Sequence, residues 1–403
     1  MKYALFICDG MADYPLEKLQ GRTPLQVART PNLDRLARDG ATGLAVTIPP
    51  NMSAGSDVAS LSIVGYDPRL YYRGRGPLEA VSLGLEPAPD EVVFRCNLVS
   101  VSDGLMRDYS AGHISSQEAR VLIEALNREL KVDGVTFYPG VSYRNVVTMK
   151  ESLLQEGKGP LECVPPHAIS GRAVEGNLPT GQGSSLLREL MEKSVAILAA
   201  QPVNLVKIDL GENPANMIWL WGGGKLERPP SFRERFGVTG AVIAAVDLIK
   251  GIGKLIGLKA VDVPGATGYY DTDYDAKAQY AIQALHEDDF VLVHVEAADE
   301  AGHNGDILEK ITAIERFDAK IVGKVLEKLE EWGEFRVLAM PDHYTPITVK
   351  DHTPEPVPFA VCGKGIQPDA VKGFDEFSVS EGSFKTVEGH TLMAILLGKG
   401  NSV

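Results

Sequence analysis

The chain has 403 residues, of which 44% are hydrophobic and 23% charged, an ordinary balance for a globular protein and enough length for two domains, each with its own core. Forty basic against 54 acidic residues give a net charge of −14, which argues against a nucleic-acid partner. A small anionic substrate stays open, because a few local cations can hold one inside an acidic protein.

The N-terminal run Lys2–Cys8 reads as a buried strand that stops at Asp9-Gly10. It is too short and too abruptly ended for a signal peptide, and no apolar run elsewhere is long enough to span a bilayer. Thr23-Pro24 and Thr30-Pro31 each place a hydroxyl cap before a proline at the first helical position. The second of these helices carries Leu33, Leu36 and Ala37 on one face and ends near Gly40.

The composition changes around Pro77–Glu91, rich in Pro, Glu and Gly, and again around Pro229–Gly240. Between them lie apolar runs such as Val92–Val101 and Val203–Leu210. The expected organisation is a core domain of residues 1–85 and 238–403, with a smaller α/β domain, 86–237, inserted into it. In the last third, Phe290–Val295, Phe335–Met340 and Val357–Cys362 are strand-like. Ile311, Ile314, Ile321, Val325 and Leu329 recur at helical spacing through Ile311–Trp332. Strands alternating with helices predict a mostly parallel sheet covered on both faces.

Chemistry-bearing residues gather after the predicted strands. Asp9 ends the first. Ser56 lies in Gly55-Ser56-Asp57-Val58. Asp299 and His303 follow Phe290–Val295 at an i, i+4 spacing, and Asp342-His343 follows Phe335–Met340, with His352 nine residues on. Taken singly, a strand-end Asp is more often a turn residue and a loop His more often solvated. Together, carboxylates and imidazoles at the ends of parallel strands make a crevice of metal ligands, and three of each suit two divalent ions. Four cysteines, Cys8, Cys96, Cys163 and Cys362, form no CxxC pair, which suggests a reduced, cytoplasmic protein.

In this order Asp9, Thr30-Pro31-Asn32-Leu33-Asp34-Arg35-Leu36-Ala37, Gly55-Ser56-Asp57-Val58-Ala59, Asp299-x-x-x-His303, Asp342-His343 and His352 resemble the alkaline-phosphatase superfamily. More closely, they resemble the archaeal-type branch of the cofactor-independent phosphoglycerate mutases, and Gly265-Ala266-Thr267-Gly268-Tyr269 and Trp219-Leu220-Trp221-Gly222 extend the likeness over nearly the whole chain. The resemblance implies an alkaline-phosphatase-like α/β fold and an isomerase of glycolysis that interconverts 3- and 2-phosphoglycerate through a phosphoserine. It assigns one metal to Asp299, His303 and His352, the other to Asp9, Asp342, His343 and the Ser56 hydroxyl, and makes Ser56 the nucleophile. Mn²⁺ is the first expectation for both ions, with Zn²⁺ or Mg²⁺ as alternatives. The nearest rival on the same metals is a phosphohydrolase, or a phosphotransferase of the homoserine-kinase type.

Phosphoglycerate is a trianion, so fixed cations are expected as well. The inserted domain offers Arg144, Arg172, His113 and His167, of which the arginines could equally form surface salt bridges. Gly222-Gly223-Gly224-Lys225 lacks the spacing of a nucleotide phosphate loop. His286, His294 and His390 fit none of these motifs and are read as structural or solvated.

Overall fold

Every residue of Lys2–Cys8 beyond Lys2 is buried, the mark of a strand covered on both faces. In a computed structural model, which describes residues 1–399, this strand is β1. The others are β2 (Ala41–Val46), β3 (Glu91–Ser102), β4 (Leu105–Asp108), β5 (Val135–Val141), β6 (Arg144–Lys150), β7 (Met217–Gly224), β8 (Gly240–Ile243), β9 (Lys259–Val261), β10 (Phe290–Val295), β11 (Phe335–Met340), β12 (Val357–Gly363) and β13 (Thr386–Glu388). The chain forms two units, Met1–Tyr72 with everything from Arg228 onward, and Arg73–Glu227.

The first unit is built on an eight-stranded sheet in the order β13-β2-β12-β11-β1-β10-β8-β9. It is mostly parallel, as expected; among the described strands only β12 runs against its neighbours, β11 and β2. Ala4, Phe6 and Cys8 pack with Val291, Val293 and Val337 on one face, while Leu5 and Ile7 are equally buried on the other. Cys8 pairs with Val295 and Ile7 with Met340, so three neighbouring parallel strands end level with one another. The residues just beyond their carboxyl ends therefore share one crevice.

The predicted helix at Ile311–Trp332 is interrupted. Ile307–Arg316 and Gly323–Trp332 are α-helical, and Phe317–Val322 between them is a π-turn. That turn aims the buried carboxylate of Asp318 at the start of helix Pro31–Asp39, where it accepts from the backbone N–H of Leu33 (2.7 Å) and from Asn32 Nδ2 (2.9 Å). The cap expected from Thr30 is not made; Asp318 takes its place. Thr23 does cap its helix, in a reciprocal box with Gln26. Gly40 closes helix Pro31–Asp39 in extended rather than left-handed backbone, and a Cβ there would lie 2.2 Å from the Val361 carbonyl oxygen.

The second unit is α/β, but its sheet is antiparallel throughout, with β3 between β6 and β7. Alternation along β3 sorts its residues. Phe94, Cys96 and Leu98 face helices Ser116–Glu129 and Ser184–Ala199, while Val93 packs with Ala80 of helix Arg75–Ser82. The apolar run Val203–Leu210 belongs to helix Pro202–Asp209, which buries Asn204 and Lys207 and leaves Leu205, Val206 and Ile208 exposed. Asn204 is held there by the carbonyls of Leu198 and Ala215. No helix among the described residues is long and apolar enough to cross a membrane.

One fully buried ion pair ties the loops that follow β1 and β11. Lys310 Nζ lies 2.6 Å from Asp13 Oδ2 and donates to the carbonyl of Thr345 (2.8 Å). Replacing a buried ammonium leaves its carboxylate uncompensated, which costs about 3–5 kcal/mol. Lys310→Met is therefore expected to lower unfolding free energy by that amount, measured from the urea midpoint. Lys320→Met, on the exposed pair with Asp275, should cost less than about 1 kcal/mol.

Candidate metal centre

Asp9, Asp342 and His343, from the loops after β1 and β11, bring one ligand atom each to within 4.8 Å of one another. Asp299, His343 and His352 do the same, so His343 is common to both groups. Its Nε2 lies 3.4 Å from Asp9 Oδ1 and 3.4 Å from Asp342 Oδ2. His303, one helical turn after Asp299, places Nε2 3.2 Å from Asp299 Oδ2 and 3.0 Å from His352 Nε2. Ser56 is the first residue of helix Ser56–Ile63, and its Oγ lies 3.1 Å from His343 Nε2. All seven residues expected at the centre are thus drawn together in the first unit.

The hydrogen bonds around these groups leave lone pairs pointing inward. His303 Nδ1 faces the carbonyl of Lys350 at 3.0 Å, an acceptor, so the proton of a neutral ring sits on Nδ1 and the Nε2 lone pair meets Asp299 and His352. Asp342 Oδ1 is satisfied by the N–H of Gly10 (3.1 Å) and of His343 (2.9 Å). Asp342 Oδ2 and Asp9 Oδ1 are buried with no hydrogen-bond partner. Buried acceptors without donors are costly unless a cation satisfies them, so the donor set fits divalent ions.

Without a cation, protons take up part of that role. Burial and the neighbouring Asp342 charge push Asp9 well above the carboxylate range. Burial opposes ionisation of Asp299 too, but His303 and His352 hold it down. The reciprocal effect outweighs burial at His303, raised to about 9, and also raises His352. Burial pulls His343 down to about 4, so its ring is neutral near pH 7.

A family model described as the metalloenzyme superfamily matches residues 1–399. The 2,3-bisphosphoglycerate-independent phosphoglycerate mutase of Methanothrix thermoacetophila is 50% identical, with 98% of this chain and 100% of the relative covered. The second such mutase of Methanothermobacter thermautotrophicus is 52% identical over 98% of this chain and 97% of the relative. The chain belongs to the 2,3-bisphosphoglycerate-independent phosphoglycerate mutases. Among solved structures, a protein of Pyrococcus horikoshii superposes with a TM-score of 0.82 at 30% identity, covering 100% of this chain and 98% of that one.

Within this mutase fold the four expected substrate cations all belong to the second unit. Arg144 and His167 enter one chain of ring contacts there. His167 stacks edge-on to Trp221 (5.5 Å) and to Tyr109 (6.2 Å), Tyr109 meets Tyr143 (5.9 Å), and Arg144 lies over Tyr143 (5.7 Å). Arg75 and the buried Arg95 add cations over Trp221, at 5.6 and 4.9 Å, and Arg95 pairs with Glu79 at 3.2 Å. His113 and Arg172 lie on exposed turns and take no part in those ring contacts among the described residues.

His294, read from the sequence as structural or solvated, is not solvated. It is fully buried on β10, with Nε2 3.6 Å from Asp9 Oδ2 and 3.9 Å from Asp342 Oδ2. Its Nδ1 meets Glu296 Oε1 (3.1 Å), and Glu296 Oε2 meets the buried Lys277 ammonium (3.0 Å). The one available signal was a histidine inside an otherwise unbroken apolar strand.

A cation entering this centre must displace the proton that Asp299 draws onto His303. Because the His303 pKa is raised when no cation is bound, metal affinity should fall as pH drops below about 9. Calorimetric titration of metal-stripped protein with Mn²⁺ at pH 7, in two buffers of different ionisation enthalpy, should show release of about one proton or more. No release would contradict the assigned protonation.

Proposed function

We propose that this chain is a phosphoglycerate mutase that interconverts 3-phosphoglycerate and 2-phosphoglycerate through phosphorylation of Ser56. Its membership of the family carries the activity, and one observation carries the mechanism: Ser56 Oγ stands 3.1 Å from Nε2 of His343, the residue common to both ligand groups. Two divalent ions, with Mn²⁺ our first choice for a mixed carboxylate and imidazole set, would lower the pKa of the serine hydroxyl and offset charge on the transferring phosphoryl group.

Asp9, Asp342 and His343 are assigned to one ion with Ser56, and Asp299, His303 and His352 to the other. Ser56 Oγ loses its proton and forms a bond to phosphorus as the bond to the C3 oxygen of the glycerate breaks, and that oxygen takes up a proton. The C2 hydroxyl then loses its proton and attacks the phosphoserine, and the released Ser56 oxygen takes up a proton. As the first residue of its helix, Ser56 presents the new phosphate to the positive end of the helix dipole. Water is a competing acceptor, so the glycerate must be retained between the two transfers, and Arg144 is assigned to its carboxylate. Four free cysteines suit a reducing cytoplasm.

Ser56→Ala should abolish isomerisation of 3-phosphoglycerate while circular dichroism stays unchanged. More than about a tenth of wild-type turnover in the folded variant would rule Ser56 out as nucleophile. Losing a charge-assisted contact costs about 2–3 kcal/mol, or roughly a hundredfold in rate. Arg144→Ala is accordingly expected to isomerise about a hundredfold more slowly and to release a larger share of free phosphate, with both ions still bound. Product analysis by phosphorus NMR distinguishes the outcomes, and wild-type isomerisation without extra phosphate would move the carboxylate contact elsewhere.

A further inference from the structure

Thr345 lies two residues beyond His343 and is fully buried. Its Oγ1 is 2.5 Å from Asp299 Oδ1 and 3.2 Å from His343 Nδ1. Asp299 and His343 come from different strand ends, and in the metal assignment above they belong to different ions.

A hydroxyl has one proton, and its direction here is fixed. Two oxygens 2.5 Å apart must have a hydrogen between them, and a carboxylate serving as a metal ligand only accepts, so Thr345 donates to Asp299. The hydroxyl oxygen is then left to accept from His343, which places the His343 proton on Nδ1. The Nε2 lone pair consequently points at Ser56 Oγ, Asp9 Oδ1 and Asp342 Oδ2. One hydroxyl thus orients the Asp299 carboxylate and selects the His343 tautomer.

The chain is shaped around this side chain. Gly10 has φ +60°, and a Cβ there would lie 2.5 Å from Thr345 Oγ1 and 2.8 Å from Asp299 Oδ1. A Cβ on Gly302 would lie 2.4 Å from the Thr345 carbonyl oxygen and 2.8 Å from its Cγ2. The Thr345 N–H donates to the Ala12 carbonyl (3.3 Å), and its own carbonyl accepts from the buried Lys310. Backbone and methyl are both pinned, so the hydroxyl has no freedom to turn away.

We propose that Thr345 is a positioning residue that couples the two metal sites, its hydroxyl holding a ligand of each so that loss of this one group weakens both. This rests on the two-ion reading of the centre, and the test separates the two. Metal-stripped wild-type, Thr345→Val and Thr345→Ser proteins are titrated with Mn²⁺ by calorimetry, with stoichiometry checked by elemental analysis and folding by circular dichroism.

Wild-type protein is expected to take two ions. Thr345→Val, which keeps the shape and removes the hydroxyl, should bind both about 10–100-fold more weakly, and Thr345→Ser should recover both affinities to within about threefold. Unchanged affinities in Thr345→Val, loss at one site alone, or failure of Thr345→Ser to recover would each overturn the coupling. Wild-type protein binding fewer than two ions would instead overturn the two-ion reading. Should Thr345→Val not fold, Thr345→Ala removes the same hydroxyl without the added methyl, and the same outcomes apply.

Discussion

Mutual repulsion among Asp9, Asp299 and Asp342, buried together beyond the ends of three strands, is the constraint on which the first unit turns. Carboxylates leave water only when something else satisfies them. Part of that is done by the chain itself: backbone N–H groups on Asp342 and histidines beside Asp299. Around this shell two lysines with no exposed surface, Lys277 and Lys310, are paired with Glu296 and Asp13. The unpartnered oxygens that remain, on Asp9 and Asp342, face the same imidazole and are what a cation would occupy.

How much of this could be read from the sequence depends on whether a feature is local. Asp9, Asp299 and Asp342-His343 each follow an apolar run, so their arrival at one sheet edge is legible once the runs are taken as parallel strands. The direction of β12 was not legible, because an apolar run has no sign. Asp318 and Thr345 were invisible for a different reason. Asp318 caps a helix nearly 290 positions away only because a π-turn rotates it inward, and the Thr345 hydroxyl matters only through the register that sets Asp299 beside it. His294 is buried rather than solvated, and its neighbours Asp9 and Glu296 were not legible, because an isolated histidine carries no spacing from which to infer a partner.

The second unit shows the same contrast between pattern and context. Alternation along β3 gives its two faces, yet Arg95 occupies an inward position where an apolar residue would be expected. It is tolerated because Glu79 supplies the opposite charge and Trp221 a ring face. Helix Pro202–Asp209 inverts the usual rule, since Asn204 satisfies backbone groups that would otherwise be buried without partners, and its leucine and valine neighbours turn outward.

The place of β1 at the middle of the sheet bears on how the protein is made. Tyr3 pairs with Phe290 and Lys2 with Phe335, so this strand has neither neighbour until some 290 residues after it is made. At about 5–20 residues per second that interval is roughly 15–60 s. Throughout it, an apolar strand that belongs between two others has no native partner, while Arg73–Glu227, contiguous in the chain, has all its strands at hand. Order of emergence thus favours the inserted unit folding first, and the N-terminal segment is the part of the nascent chain most dependent on protection from aggregation.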